Sequence, residues 1–341
     1  MKILVIQNKK IGDVLLSTII CTNLKKALPQ AEVHYLVSEE ALPIIKGNPY
    51  IDKPIIITAA HRATKRSYLQ FALQLKQEQY DVIIDAYSKL ESWVIVFLSK
   101  AKMRISFKKK YRTFLYTHNL AREQVTGSAS GKMIDIRLLL VSPFMNSISA
   151  ERIPKLYLEE AEIQKAKNLL KSYQRINSHL IVINIVGSTP EKTYPIHYMV
   201  ELINGIAQKA DASILFNFSL SQKEIAQKIY DSCAAQIKHK LIHNIPDYSL
   251  RTFILIMSQC TAIIGNEGGA IHIAKALNKP SFTIFSPMVS KLEWSTFEDD
   301  VTHVAVHPCD YFNQSKDINL YQQLIPSLIW PKLAAFIERH L

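Results

Sequence analysis

The sequence predicts an α/β protein of two domains, each built around a parallel β-sheet. Three observations point there. Short β-rich runs alternate with stretches of helical spacing in both halves of the chain. Its 341 residues exceed one ordinary hydrophobic core and suit two domains of about 150 residues each. Turns containing glycine follow three of the β-rich runs and lead into helices, the junctions at which parallel sheets bind ligands.

In the first half, residues 2–7, 32–37, 54–58 and 80–85 read as strands, being short, apolar and rich in Val and Ile. Between them, 14–28, 39–46 and 65–77 carry apolar residues at helical spacing with polar faces. In the second half, strand 179–186 precedes a helix opening near Pro195, a residue suited to a first turn. Strand 212–217, helices 221–236 and 249–258, strand 261–264, helix 270–277 and strand 281–285 complete the rhythm. A charged helix over 161–173 sets the boundary between 172 and 178. The expected domains are therefore 1–172 and 173–341, with a closing helix, 330–341, that packs back on the first domain.

Hydrophobic residues form 48% and charged residues 21% of the chain, a balance that excludes disorder. No apolar run approaches the roughly 18–20 residues that span a bilayer. The first residues enter a strand directly, without the pattern of a signal peptide, so a cytoplasmic protein is expected. Four scattered cysteines imply reduced thiols, neither a disulfide framework nor a zinc site. The net charge of +12 is uneven: residues 1–160 hold 24 Lys+Arg against 14 Asp+Glu, the remainder 17 against 15. The first half thus suits an anionic partner: nucleic acid, an anionic membrane face or an acidic glycolipid.

Three turns carry chemistry. After the first strand come Gln7, Asn8, Lys9, Lys10, Ile11, Gly12 and Asp13. Asp13 either caps the following helix or serves as general base to a substrate hydroxyl. The turn Gly265-Asn266-Glu267-Gly268-Gly269 lies between a strand and a helix and places three of the nine glycines within five residues. Backbone N–H groups at such a helix start suit a diphosphate, whereas Glu267 would accept hydrogen bonds from sugar hydroxyls. His272, inside that helix, either packs locally or faces the donor. The turn 186–195 supplies Gly187, the hydroxyls of Ser188 and Thr189, and Lys192, a set fit for phosphate oxygens. Neither a P-loop nor a G-x-G-x-x-G fingerprint is present, which argues against ATPase and NAD chemistry. An Asp-x-Asp pair is also missing, so nothing calls for a divalent metal.

Together these turns resemble glycosyltransferase family 9, the ADP-heptose:lipopolysaccharide heptosyltransferases. The resemblance runs from Gly12-Asp13 through 80–85 and Arg104-Ile105-Ser106 to Phe285-Ser286-Pro287, and is most specific at 265–272. It implies a GT-B fold: two Rossmann-like domains with parallel sheets facing across a cleft, acceptor on the first and nucleotide sugar on the second. It implies an inverting, metal-independent transfer, most simply of heptose from ADP-heptose to a lipopolysaccharide core acceptor, with no cofactor beyond the donor. Asp13 matches the family's general base and Lys192 the lysine that stabilises the leaving diphosphate. Gly187, Ser188, Thr189, Glu267, Gly268, Gly269 and His272 fall at donor-binding positions. Lys9, Lys10, Arg62 and Arg104, with the basic run 100–112, are assigned to an anionic glycolipid acceptor at the inner membrane. A solvated charged face, with Ile105 and Phe107 in a core strand, is the alternative for that run. Glu267 where many members have Asp, Ile19 where proline is common, Tyr194 for a usual Trp, and the segment 288–294 depart from the family pattern. The alternatives are a family member that moves another activated sugar and a non-catalytic nucleotide-sugar-binding scaffold. Nucleic acid is not an expected partner.

Overall fold

The computed structural model describes residues 1–145, 148–173, 179–246, 248–312, 317 and 319–341. The chain forms two compact α/β units, Met1–Tyr157 and Leu158–Leu341. The first carries strands β1 (Lys2–Ile6), β2 (Glu32–Ser38), β3 (Lys53–Ile57), β4 (Val82–Asp85), β5 (Met103–Phe107) and β6 (His118–Leu120). The second carries β7 (His179–Asn184), β8 (Ala212–Asn217), β9 (Leu241–Ile242), β10 (Ala262–Asn266), β11 (Ser281–Ile284) and β12 (His303–Val306). The sheets run β3-β2-β1-β4-β5-β6 and β12-β11-β10-β7-β8-β9, with every pairing parallel. Counted within its own unit, each sheet has the order 3-2-1-4-5-6, so strand order reverses between β1 and β4 and again between β7 and β10. Crevices at such reversals, beyond the carboxyl ends of the strands, are where open sheets bind ligands.

The helix Ile11–Ala27 follows β1 and buries residues on almost every side, so it lies in the core and not on its rim. Asp13 stands in its first turn and Lys25 and Lys26 in its last, charges that suit the helix dipole. The helix Lys65–Gln77 opens on Thr64, whose side chain accepts the Ser67 N–H, while the Ser67 hydroxyl accepts the Thr64 N–H. Its buried face, Phe71, Ala72 and Leu75, joins Ile95 and Val96 of helix Leu90–Ser99 against Leu4, Ile6 and Ile83 of the sheet.

The structure moves the expected boundary from 172/173 to 157/158. The charged helix, observed as Glu160–Leu170, belongs to the second unit because it packs on helix Leu250–Gln259. The Arg251 guanidinium grips the Glu162 carboxylate from both edges there. Residues 174–178, within the expected boundary zone, lie outside the described residues. The closing helix also differs from expectation. It spans Pro326–His340, and its apolar face, Ile329, Leu333, Phe336 and Ile337, completes the second unit's own core. Phe336 meets Phe282 of β11 edge-on at 5.9 Å. A β-carbon added to Gly205 would stand 2.6 Å from the Trp330 ring, so glycine is what lets helix Ile196–Lys209 approach it. Among the described residues, no helix is long and apolar enough to cross a membrane.

Candidate functional site

All three chemistry-bearing turns lie where strand order reverses: residues 7–13 follow β1, 185–195 follow β7 and 267–269 follow β10.

In the second unit the site is built on amides. Asn184 ends β7 and Asn266 ends β10, and the two exchange hydrogen bonds across the gap between the strands. The Asn184 side-chain amide donates to the Asn266 carbonyl at 2.8 Å, and that of Asn266 donates to the Asn184 carbonyl at 2.9 Å. Asn266 Oδ1 accepts the Tyr194 N–H at 2.7 Å, and Asn184 Oδ1 accepts from Asn217 at 2.8 Å. A polar chain therefore links the carboxyl ends of β10, β7 and β8, and buried amides satisfied in this way hold both turns fixed. Gly187 is required by close approach, since an added β-carbon would lie 2.2 Å from the Lys192 carbonyl oxygen. That approach folds the turn back and sets Lys192 beside the second turn. Its Nζ lies 3.5 Å from Glu267 Oε1, with the two side chains 30% and 13% exposed. The 187–192 and 265–269 turns thus converge through Lys192 and Glu267.

Ser188 and Thr189 are exposed next to this pair. Gly268, at φ +155, precedes helix Gly269–Ala276, and no side chain caps that helix start. Backbone N–H groups, a lysine and two hydroxyls around one carboxylate suit an anionic ligand with a polyhydroxylated neighbour. His272 is buried in the same helix, with its ring 6.1 Å from Trp294. The Trp294 end of the atypical 288–294 segment therefore packs behind the site. Tyr194, the other departure, is fully buried among Tyr198 and Tyr321, with its hydroxyl donating to the Leu324 carbonyl. That substitution concerns the core. Lys275, which sequence reasoning passed over, is 7% exposed and donates to the Thr296 carbonyl. Burial pushes its ammonium down to about 8, opposed by Glu298 and Asp299.

In the first unit the site is built on charges. Lys10, not Asp13, stands at the N-cap of helix Ile11–Ala27, and its side chain makes no capping hydrogen bond. The Asp13 carboxylate accepts from Arg137 Nη2 at 2.6 Å, and Arg137 Nε donates to Ser17 Oγ at 2.8 Å. Arg137 comes from helix Lys132–Leu139 and is 4% exposed, whereas the Asp13 side chain is 25% exposed. Burial lowers the proton affinity of the guanidinium and the Asp13 charge opposes it. One fully buried cation thus orients one partly exposed carboxylate. Sequence reasoning missed Arg137, because 124 residues separate it from its partner.

Lys9 and Arg62 converge on Glu91, at 3.4 and 3.5 Å, and the Asn8 amide donates to the same carboxylate at 2.8 Å. Lys10 is exposed beside them. Asn8 Oδ1, Arg62 Nη2 and Ser88 Oγ, all beyond the carboxyl ends of their strands, are buried with no hydrogen-bond partner. Buried polar atoms of this kind are normally satisfied, by ordered water or by a polar ligand. Asp85 ends β4 fully buried, accepting the Ser88 N–H and the Tyr116 hydroxyl, each at 2.7 Å. Burial raises its proton affinity, against those hydrogen bonds.

Arg104 is corrected. It is the second residue of β5, toward the amino end of the strand, and its guanidinium donates to the carbonyls of Ala101 and Leu115. It closes the strand's entry and stands away from the carboxyl-end turns. Ile105 and Phe107 are core residues of the same strand.

Comparison with known proteins fits this geometry. The chain matches glycosyltransferase family 9 (heptosyltransferase) over residues 68–319. It is 26% identical over 291 residues to lipopolysaccharide heptosyltransferase 1 of Campylobacter coli, covering 84% of each chain. Its fold is similar to that of a family 9 glycosyl transferase from Veillonella parvula, with a TM-score of 0.83, 15% identity and coverage of 99% and 97%. It is also similar to that of E. coli ADP-heptose lps heptosyltransferase II, with a TM-score of 0.78, 17% identity and coverage of 99% of each chain. At such identities the structural likeness carries the fold alone, the GT-B class. The family match spans most of the sequence, and the chain is a glycosyltransferase belonging to family 9.

Proposed function

We propose that the protein transfers heptose from ADP-heptose to an anionic lipopolysaccharide core acceptor, with inversion at the sugar carbon and without a metal. The convergence of Lys192 with Glu267 at the strand reversal of the second unit carries this reading. The names of the relatives supply the sugar and the acceptor class. In the proposed reaction Asp13 takes the proton of an acceptor hydroxyl while the oxygen of that hydroxyl bonds to the anomeric carbon. The bond from that carbon to the phosphate oxygen breaks, and the diphosphate leaves against Lys192, the hydroxyls of Ser188 and Thr189, and the N–H groups around Gly268 and Gly269. Charge that develops on a leaving diphosphate is what fixed donors stabilise best. Glu267, beside the lysine, accepts hydrogen bonds from the hydroxyls of the donor sugar. Lys9, Lys10 and Arg62 meet the acceptor's acidic groups at the cytoplasmic face of the inner membrane, and no cofactor other than the donor takes part.

A nucleotide panel tests the donor. ADP should raise the melting temperature more than UDP or GDP, because a ligand that binds only the folded state stabilises it. The product linkage formed from ADP-heptose should be opposite in anomeric configuration to the donor. Stabilisation by UDP in preference to ADP would refute the donor assignment, and a retained configuration the mechanism. Glu267 in place of the commoner Asp favours one second reading, a family member whose donor sugar is not heptose. Turnover of another ADP-sugar in the same panel would establish it.

A further inference from the structure

Most large apolar side chains of the first unit are buried, but Leu90, Phe97, Tyr111 and Phe114 are each two-thirds or more exposed. They come together. Leu90 and Phe97 stand seven residues apart in helix Leu90–Ser99, two turns along one face. Strands β5 and β6 are parallel neighbours, so the chain after Phe107 must travel back the length of the sheet to enter β6 at His118. It does so against this helix. The Arg112 guanidinium lies over the Trp93 ring at 3.7 Å, and Lys109 Nζ donates to the Ser88 carbonyl at 2.8 Å, just ahead of the helix start. Tyr111, at φ +65, holds a backbone region that bulky residues rarely adopt, with its ring in solvent. The neighbouring helix Lys65–Gln77, packed alongside, adds exposed Leu69 and Leu73.

Cations surround these side chains. Residues 89–112 contain eight Lys or Arg and one acid, Glu91; Lys89, Lys100, Lys108 and Lys110 are exposed. Glu91 is turned to Asn8 and Lys9, so the patch borders the crevice that holds Asp13 within the same unit. Bulky aliphatic and aromatic tips ringed by lysines match a boundary with apolar material beneath and negative charge above, which is what an anionic bilayer presents. Single-stranded nucleic acid calls for aromatic rings along a charged groove, and Leu69, Leu73 and Leu90 offer no face for a base to stack on.

We propose that this face docks the protein on an anionic lipid surface. Leu90, Phe97, Tyr111 and Phe114 enter the acyl boundary and the lysines around them meet lipid phosphates, which brings a lipid-borne hydroxyl level with the Asp13 crevice. The role rests on the acceptor reading above; the docking itself is measured without catalysis. In flotation assays the full chain should rise with vesicles of phosphatidylethanolamine and phosphatidylglycerol and stay behind with pure phosphatidylcholine, and high salt should weaken the association. The double substitution Phe97→Ser/Phe114→Ser should cut partitioning roughly ten-fold. Lys108→Glu/Lys110→Glu should cut it by roughly five-fold or more per charge. Both variants should keep the wild-type melting temperature and its shift with ADP. Equal flotation on phosphatidylcholine, unchanged flotation of the Phe variant, or binding to a random oligonucleotide with no flotation would each overturn the proposal. Loss of the sugar-transfer reading, seen as no turnover of any nucleotide sugar, would leave the flotation result intact.

Discussion

The two crevices share one topology and differ in chemistry. In the second unit, Asn184, Asn217 and Asn266 interlock, and glycines admit the backbone at 187 and 265. In the first, charged side chains meet around Glu91 and Asp13. An interlocked frame suits a ligand whose phosphates are constant. Long charged side chains suit a ligand whose own charges complete the site. A fixed crevice should therefore respond to backbone changes and an adaptable one to charge changes, and the following substitutions test that contrast.

The largest effect is expected at Asp13. Asp13→Asn keeps an oxygen for Arg137 but removes the base, so turnover should fall about 10²–10⁴-fold with the ADP-induced melting shift unchanged; single-turnover kinetics and a thermal scan check both halves. Lys192→Ala should lower turnover by about 10²–10³-fold and should weaken nucleotide affinity as well, which calorimetry would register. Gly187→Ala forces a β-carbon onto the Lys192 carbonyl, so it should abolish nucleotide binding while leaving Asp13 and its partner undisturbed. If it binds normally, the second crevice is less rigid than its hydrogen bonds imply.

A smaller effect is expected at Arg137. Arg137→Lys keeps a charge near Asp13 but gives up the fork that also holds Ser17. The rate should fall about ten-fold with the ADP-induced melting shift retained; a purely structural role would instead lower the melting temperature of the free protein.

The smallest concerns Lys275. Its folded-state affinity for the proton, about 8, lies below the 10.5 of an unfolded lysine. Between those values the unfolded chain binds more protons, so stability rises with pH across that window, and at pH 7 the buried ammonium is a net cost. Lys275→Met should stabilise the protein by about 1–2 kcal/mol at pH 7, despite losing the bond to Thr296, and the gain should fade as pH approaches 10.5. Melting curves at both pH values would show it.

Much of this was legible in the sequence. Strand 212–217 and helix 65–77 were read to the residue, because a short apolar run between polar residues and amphipathic spacing leave little ambiguity. The three turns were legible because glycine, a hydroxyl pair and charged residues after a strand have few other uses. Strand β5 was legible only as an alternative, through Ile105 and Phe107, because basic residues flank it, and β6 and β9 were hidden by their length of three and two residues. Helix Leu90–Ser99 was hidden because Trp, Val, Ile and Phe crowd it, a composition equally at home in a strand. Arg137, Glu91 and Lys275 act through partners far away in sequence, which no local pattern reveals.

The position of helix Glu160–Leu170 bears on protein engineering. Since it is clamped to Arg251, a hybrid enzyme that borrows its first unit from one relative and its second from another should be spliced at 157/158. A junction at 172 would graft a foreign helix onto the second unit and leave the Arg251 guanidinium facing a surface that did not evolve with it.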